Sequence, residues 1–285
     1  MTSARTSRRV PWAAVLVALP TLVGVAYAAG AATGLIGVGA RGFSLDRIAR
    51  VLGEPAVWRG LLWTLGTAFA ATALATAGAV LLAVTFRGTG PGDRAARALT
   101  VLPMAVPHLV AAALFVFLLG QSGFVARVLH ATGAVETPAA LPALIYDRWG
   151  VGFVLALAWK ELPFLSLLAF SVLATRGPAL EEAARSLGAG PRDVFRRVTW
   201  PVLWRGLLPG IIAVFAFVAG SYEAAVLLAP SDPLALPLLT YERYTDPDLA
   251  RRSDAFVLVL VGLAASAVAV AFHEWARSRW EPFEV

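Results

Sequence analysis

Three groups of residues in this chain have the types and spacing for chemistry. Ser122, within Gly120-Gln121-Ser122-Gly123, and His273 supply a nucleophile and a base, which work together only at hydrogen-bond distance. Lys160 and Glu161, within Trp159-Lys160-Glu161-Leu162-Pro163, interrupt an apolar run, and charges in such a place face either a cavity or a partner. Tyr222 and Glu223 close another apolar run. His108, His130 and His273 share no ligand spacing, so no metal site is expected. Cysteine is absent, which removes disulfides and thiolate chemistry. No Gly-x-x-x-x-Gly-Lys-Ser/Thr stretch occurs, so ATP cannot be held in that way and no cofactor is expected in this chain.

The elements that position these groups are apolar. Of the 285 residues, 59% are hydrophobic and only 15% are charged, where soluble domains carry about 25% charge. The net charge of +6 comes from arginines scattered between apolar runs and not from one basic patch, which argues against nucleic acid. A membrane-spanning helix needs about 20 mostly apolar residues. Six segments meet that requirement, at about 12–34, 59–85, 99–120, 150–175, 207–229 and 255–273. The expected fold is all-α and polytopic, one transmembrane domain over residues 1–285 in contact with lipid. Ala26-Tyr27-Ala28 looks like a signal-peptidase site, but the apolar run continues past it, so an uncleaved first helix is expected.

Charge assigns the sides. The N-terminus, 86–98, 176–206 and the C-terminal tail together hold fourteen arginines against seven acids. The remainder holds ten Lys/Arg against eleven acids. Basic loops stay in the cytoplasm, so both termini and 176–206 are expected there. Arg41, Arg47, Arg50 and Arg59 fall outside and are the weak point of the scheme. The same scheme separates Ser122 from His273 by roughly a bilayer thickness, about 30 Å, which disfavours an intramembrane enzyme. Lys160 and Glu161 then either pair with other helices (Lys160 with Glu223, Glu161 with an arginine) or face a pathway.

Residues 179–206 carry the most legible local pattern. Pro178 favours a helix start, and Leu180, Ala183, Ala184 and Leu187 share one helical face. Gly188-Ala189-Gly190 ends that helix. Pro191 opens a second one, with Val194, Phe195 and Val198 as its stripe, and Pro201 stops or bends it. A hairpin of this kind, apolar on its ridge and charged on its flanks, suits insertion into a groove on a soluble partner.

Glu182-Ala183-Ala184, Gly188, Val198 and Trp200-Pro201 stand at the spacing of the EAA loop. The chain therefore resembles the permease subunits of binding-protein-dependent ABC importers of type I. Val198 and Trp200 depart from the usual Ile and Leu, but both keep an apolar side chain. The resemblance covers roughly 55–275, with 1–54 as an added N-terminal helix and external loop and 176–206 as the coupling loop.

The resemblance implies a permease and not an enzyme, in a bacterial plasma membrane. Its implied partners are a cytoplasmic ABC ATPase dimer, a second permease subunit and an external solute-binding protein. Glu182, Ala183, Ala184, Gly188, Val198 and Pro201 are the implied ATPase-coupling positions. Helix five lines the path in related permeases, so Glu223 and Tyr222, with Lys160 and Glu161, are the expected pathway residues. Carboxylates there suggest a small cation and the polyamine, thiamine or ferric-iron branch. An anionic cargo such as sulfate or phosphonate is the alternative.

Overall fold

The computed structural model describes residues 12–280, apart from 38, 39, 41, 138 and 139. Arg5, Arg8, Arg9 and Arg41, and the side chains of Arg176 and of residues 272–280, including His273, lie outside the described set. Every described element is helical. Six helices are long and apolar enough to cross a bilayer: Val15–Ala32, Pro55–Thr85, His108–Ala131, Val151–Thr175, Pro191–Ala219 and Arg251–Ala271.

Residues 12–55 and 240–263 form one compact unit. It holds α1 (Trp12–Ala32), α2 (Asp46–Leu52) and the first turns of α12 (Leu249–Trp280). Tyr27 meets Phe256 edge-on at 5.4 Å, which joins α1 to α12. Its charged centre is Asp254, which is only 1% exposed. Arg50 makes a two-pronged contact with that carboxylate at 2.8 and 2.9 Å. Arg47 lies 3.6 Å away and Arg243 3.9 Å away, and Arg243 also pairs with Glu54. Hydrogen bonding to Asp254 holds the Arg50 guanidinium above its ordinary pKa against the opposing effect of burial, helped by the charges of Asp254 and Glu54.

Residues 56–239 and 264–280 form the second unit. It contains α3 (Pro55–Thr85), α4 (Pro91–Val101), α5 (His108–Leu119), α6 (Phe124–Ala131), α7 (Val151–Ser186), α8 (Pro191–Val194), α9 (Trp200–Ala219) and α10 (Tyr222–Leu228), and it includes the start of α11 (Leu236–Tyr244). Ala68, Ala71, Ala75 and Ala79 give α3 a small-residue face, which lets neighbouring backbones approach closely. That face shares a buried core with Phe153, Leu157 and Leu165 of α7, Val214 and Val218 of α9 and Leu228 of α10. A second cluster, Ala83, Ala169, Leu173, Leu203 and Leu207, continues between α3, α7 and α9.

The breaks fall where the backbone requires them, and four differ from the sequence reading. The segment expected at 99–120 is divided: α4 ends in a tight turn over Leu102–Ala105, and α5 starts at His108 after Pro107. The segment expected at 207–229 is also divided, because α9 ends at Ala219 and α10 begins at Tyr222. Pro178 starts no helix, since α7 runs on through both Pro163 and Pro178. Pro201 stops nothing, as it sits in the first turn of α9.

Candidate functional site

The loop expected to dock a partner is built on the end of α7. Gly188 has φ +85, a region open to glycine, and reverses the chain there. Its amide donates to Arg185 O at 2.9 Å and the Ala189 amide to Ala184 O at 3.1 Å. These are the two bonds of a Schellman ending. The chain then enters α8 at Pro191 after an extended Gly190. It continues through a π-helical turn at Phe195–Thr199 straight into α9.

Glu181 secures this arrangement. Its side chain is buried, and three segments reach it. Arg87, two residues past α3, approaches both carboxylate oxygens at 2.8 and 2.9 Å. Arg185 bonds one oxygen at 2.9 Å from the next turn of α7, and the Thr199 hydroxyl bonds the other at 2.7 Å from the π turn. Burial alone would raise this carboxyl. Hydrogen bonds from Thr199 and Arg87 and the charges of Arg87 and Arg185 outweigh it, holding the group below the usual carboxylate range.

The six expected coupling residues divide by exposure. Glu182, Ala183 and Gly188 are exposed, and Ala184, Val198 and Pro201 are half-buried. Among the described residues the Glu182 carboxylate has no partner. Leu187 at the loop tip is 89% exposed, and Leu180, Phe195 and Trp200 also present apolar surface. Of the neighbouring glutamates, then, Glu181 holds the loop and Glu182 faces outward. Sequence reasoning passed over Glu181, although its place one residue before the motif, amid arginines, was the available signal.

No ion pair joins the expected pathway residues to one another. Glu161 is buried and meets His108 Nε2 at 3.0 Å, and the His108 ring packs on Phe217 at 4.8 Å. His108, for which only a metal-ligand role was excluded from the sequence, thus links α5 to α7 and packs on α9. This contact replaces the expected Glu161–arginine pair. Lys160 is 7% exposed, and its expected ion pair with Glu223 is not formed. Glu223 is exposed on α10 and Tyr222 is half-buried beside it. Ser122 lies in the break between α5 and α6, where its carbonyl accepts from Arg127 at 2.9 Å, a turn role. Arg47 and Arg50 find Asp254, and Arg59 finds Asp232 at 3.4 Å.

Residues 75–281 match the model of the binding-protein-dependent transport system inner membrane component family. The chain is 31% identical over 255 residues to the molybdenum transport system permease protein ModB of Mycobacterium tuberculosis, covering 88% of this chain and 90% of that one. It is 29% identical to the sulfate transport system permease protein CysT of Synechococcus elongatus, covering 81% and 82%. Its fold is similar to the crystal structure of a bacterial ABC transporter involved in import of the acidic polysaccharide alginate, with TM-score 0.74, 18% identity and coverage of 95% and 96%. The relatives are molybdenum and sulfate permeases, so the polyamine, thiamine or ferric-iron branch expected from the carboxylates is set aside. The chain belongs to the binding-protein-dependent transport system inner membrane component family: it is a multi-pass membrane permease subunit of a type I ABC importer, and not an enzyme.

Proposed function

We propose that this permease forms part of the pathway of an ATP-driven importer for a tetrahedral oxyanion of the molybdate or sulfate class. The observation that carries the reading is the near full-length match to a molybdenum permease, at 31% identity over 88% of this chain. The carboxylates that had suggested a cation support that reading less well in the fold. Glu161 is engaged by His108, and Glu223 is exposed on a short helix.

Residues 1–285 act as one permease domain, which pairs with a second permease subunit. A cytoplasmic ABC ATPase dimer docks on the outward-facing Glu182, Ala183, Leu187 and Gly188, with Val198 and Pro201 backing the loop. Nucleotide-driven closure of that partner tilts α7 and α9 through the loop. An external solute-binding protein delivers the anion, and both termini and the loop lie in the cytoplasm.

The test is complementation. The permease, expressed with its ATPase and binding protein in cells lacking molybdate and sulfate uptake, restores accumulation of one of these anions and leaves polyamine and thiamine uptake unchanged. Uptake of a cation, or of neither anion, overturns the cargo. A reporter tag at Gly188 that reads as external overturns the coupling role.

A further inference from the structure

We infer that Lys160 is the group that pairs with the anionic cargo as it crosses the middle of the bilayer. The inference rests on the oxyanion reading above and goes further, to a single side chain.

Of the 24 basic residues in this chain, 23 are arginine and Lys160 is the one lysine. It lies nine residues into α7, about 14 Å from that helix's start at 1.5 Å per residue. That is close to the centre of a hydrocarbon layer about 30 Å thick. Lys160 and Glu161 are the only charged residues of the span Val151–Thr175. Lys160 is 7% exposed, while Ala156, Leu157 and Ala158, in the turn before it, belong to the main apolar core. The adjacent acid is already engaged, because Glu161 is bonded to His108. Among the described residues the Lys160 ammonium has neither a carboxylate nor a hydrogen-bond partner. The other buried charged residues among the described ones each have a side-chain partner: Asp254 has Arg50, Glu181 has Arg87 and Arg185, and Glu161 has His108.

An unpaired ammonium at this depth is costly, and such groups mark ion pathways or pair with an absent partner. The missing counter-charge is anionic, as is the proposed cargo. The choice of headgroup fits transit over retention. An arginine fork clamps an oxyanion through two parallel bonds, whereas a lysine ammonium is a compact charge on a flexible stem. A pathway site must bind weakly enough to release.

The test uses the whole transporter in vesicles, with ATPase and loaded binding protein. Three permeases are compared: wild type, Lys160→Met, which keeps the volume in an apolar setting, and Lys160→Arg, which keeps the charge. Molybdate or sulfate uptake and ATP hydrolysis stimulated by the binding protein are read in parallel. Lys160→Met lowers uptake by a factor of about 30 or more, stimulated hydrolysis stays at the wild-type level, and Lys160→Arg restores much of the uptake. Unchanged uptake in Lys160→Met overturns the inference and leaves the oxyanion reading standing. Joint loss of uptake and stimulated hydrolysis in Lys160→Met assigns the residue a structural role and also overturns it. Wild-type vesicles that import neither anion overturn the oxyanion reading, and this inference with it.

Discussion

Thr199 donates a 2.7 Å hydrogen bond to the Glu181 carboxylate across eighteen residues of chain, and both residues are buried. The bond joins the last turns of α7 to the π turn that leads into α9. Arg87 adds the end of α3 to the same carboxylate. Glu181→Gln keeps the shape and removes the charge, leaving Arg87 and Arg185 without their counter-ion. The substitution costs about 2 kcal/mol, seen as a lower unfolding temperature of the detergent-solubilised protein.

The same carboxylate gives the protein an acid sensitivity. Glu181 sits below its ordinary value in the fold. Its contribution is therefore complete above the unfolded carboxylate pKa of about 4.3. It is lost as pH falls through that value towards the lowered folded one. The stability gap between wild type and Glu181→Gln should be full at neutral pH and narrow on acidification. A gap that stays constant down to pH about 3 contradicts the assignment.

Gly188 and Gly190 look equivalent in sequence but differ in backbone. Gly188 has φ +85, and Gly190 has φ −72. A Cβ at either position meets open space, so strain alone separates them. Gly188→Leu costs about 1–2 kcal/mol locally and re-aims the loop, so uptake falls while the amount of protein in the membrane is unchanged. Gly190→Leu transports nearly as well as wild type. Equal behaviour of the two in an uptake assay would refute this.

Helix α3 offers a second matched pair. At Gly60 a Cβ would stand 2.5 Å from the Leu234 carbonyl oxygen, which is backbone and has little freedom to move. The neighbouring Leu236 amide is fixed by a 2.9 Å bond to Thr64 Oγ1. Gly60→Ala is expected to destabilise by about 2 kcal/mol. At Gly66 nothing lies within 4 Å, and alanine there gains up to about 1 kcal/mol of helix propensity. Thermal unfolding of the two variants should shift in opposite directions.

Asp254 serves Arg50, Arg47 and Arg243 together. Asp254→Asn leaves three guanidiniums around a neutral amide, at a cost of about 3 kcal/mol or more. Arg50→Gln should cost clearly less, because the Arg50 side chain is 56% exposed and water can replace part of what is lost. Chemical unfolding of both variants measures the order, and the reverse order would count against a buried carboxylate hub.

The six spans were legible because lipid imposes a simple rule, long apolar runs, which the chain obeys. The turn at Gly188 was legible because two glycines and a proline within Gly188-Ala189-Gly190-Pro191 interrupt a helical pattern. Pro178 misled because a proline at a helix start and one carried inside a longer helix look alike in sequence, and α7 runs through it. The break after Ala219 was missed because apolar residues resume at Ala224, so a hydropathy window bridges Gly220-Ser221-Tyr222-Glu223. Arg87, His108 and Arg50 lie 94, 53 and 204 residues from Glu181, Glu161 and Asp254 respectively. Local periodicity cannot see such distances. The holding role of Glu181 therefore emerged only with the fold.

The wide turn at Phe195–Thr199 holds more residues per revolution than the helices on either side of it. Each extra residue turns whatever follows by about 100° around the helix axis. The exposed face of α8 and the face that α9 packs into the bundle are thus phased separately. A related chain that gained or lost one residue here would swing α8 and the turn at Gly188 around the helix axis, with the packing of α9 left as it was.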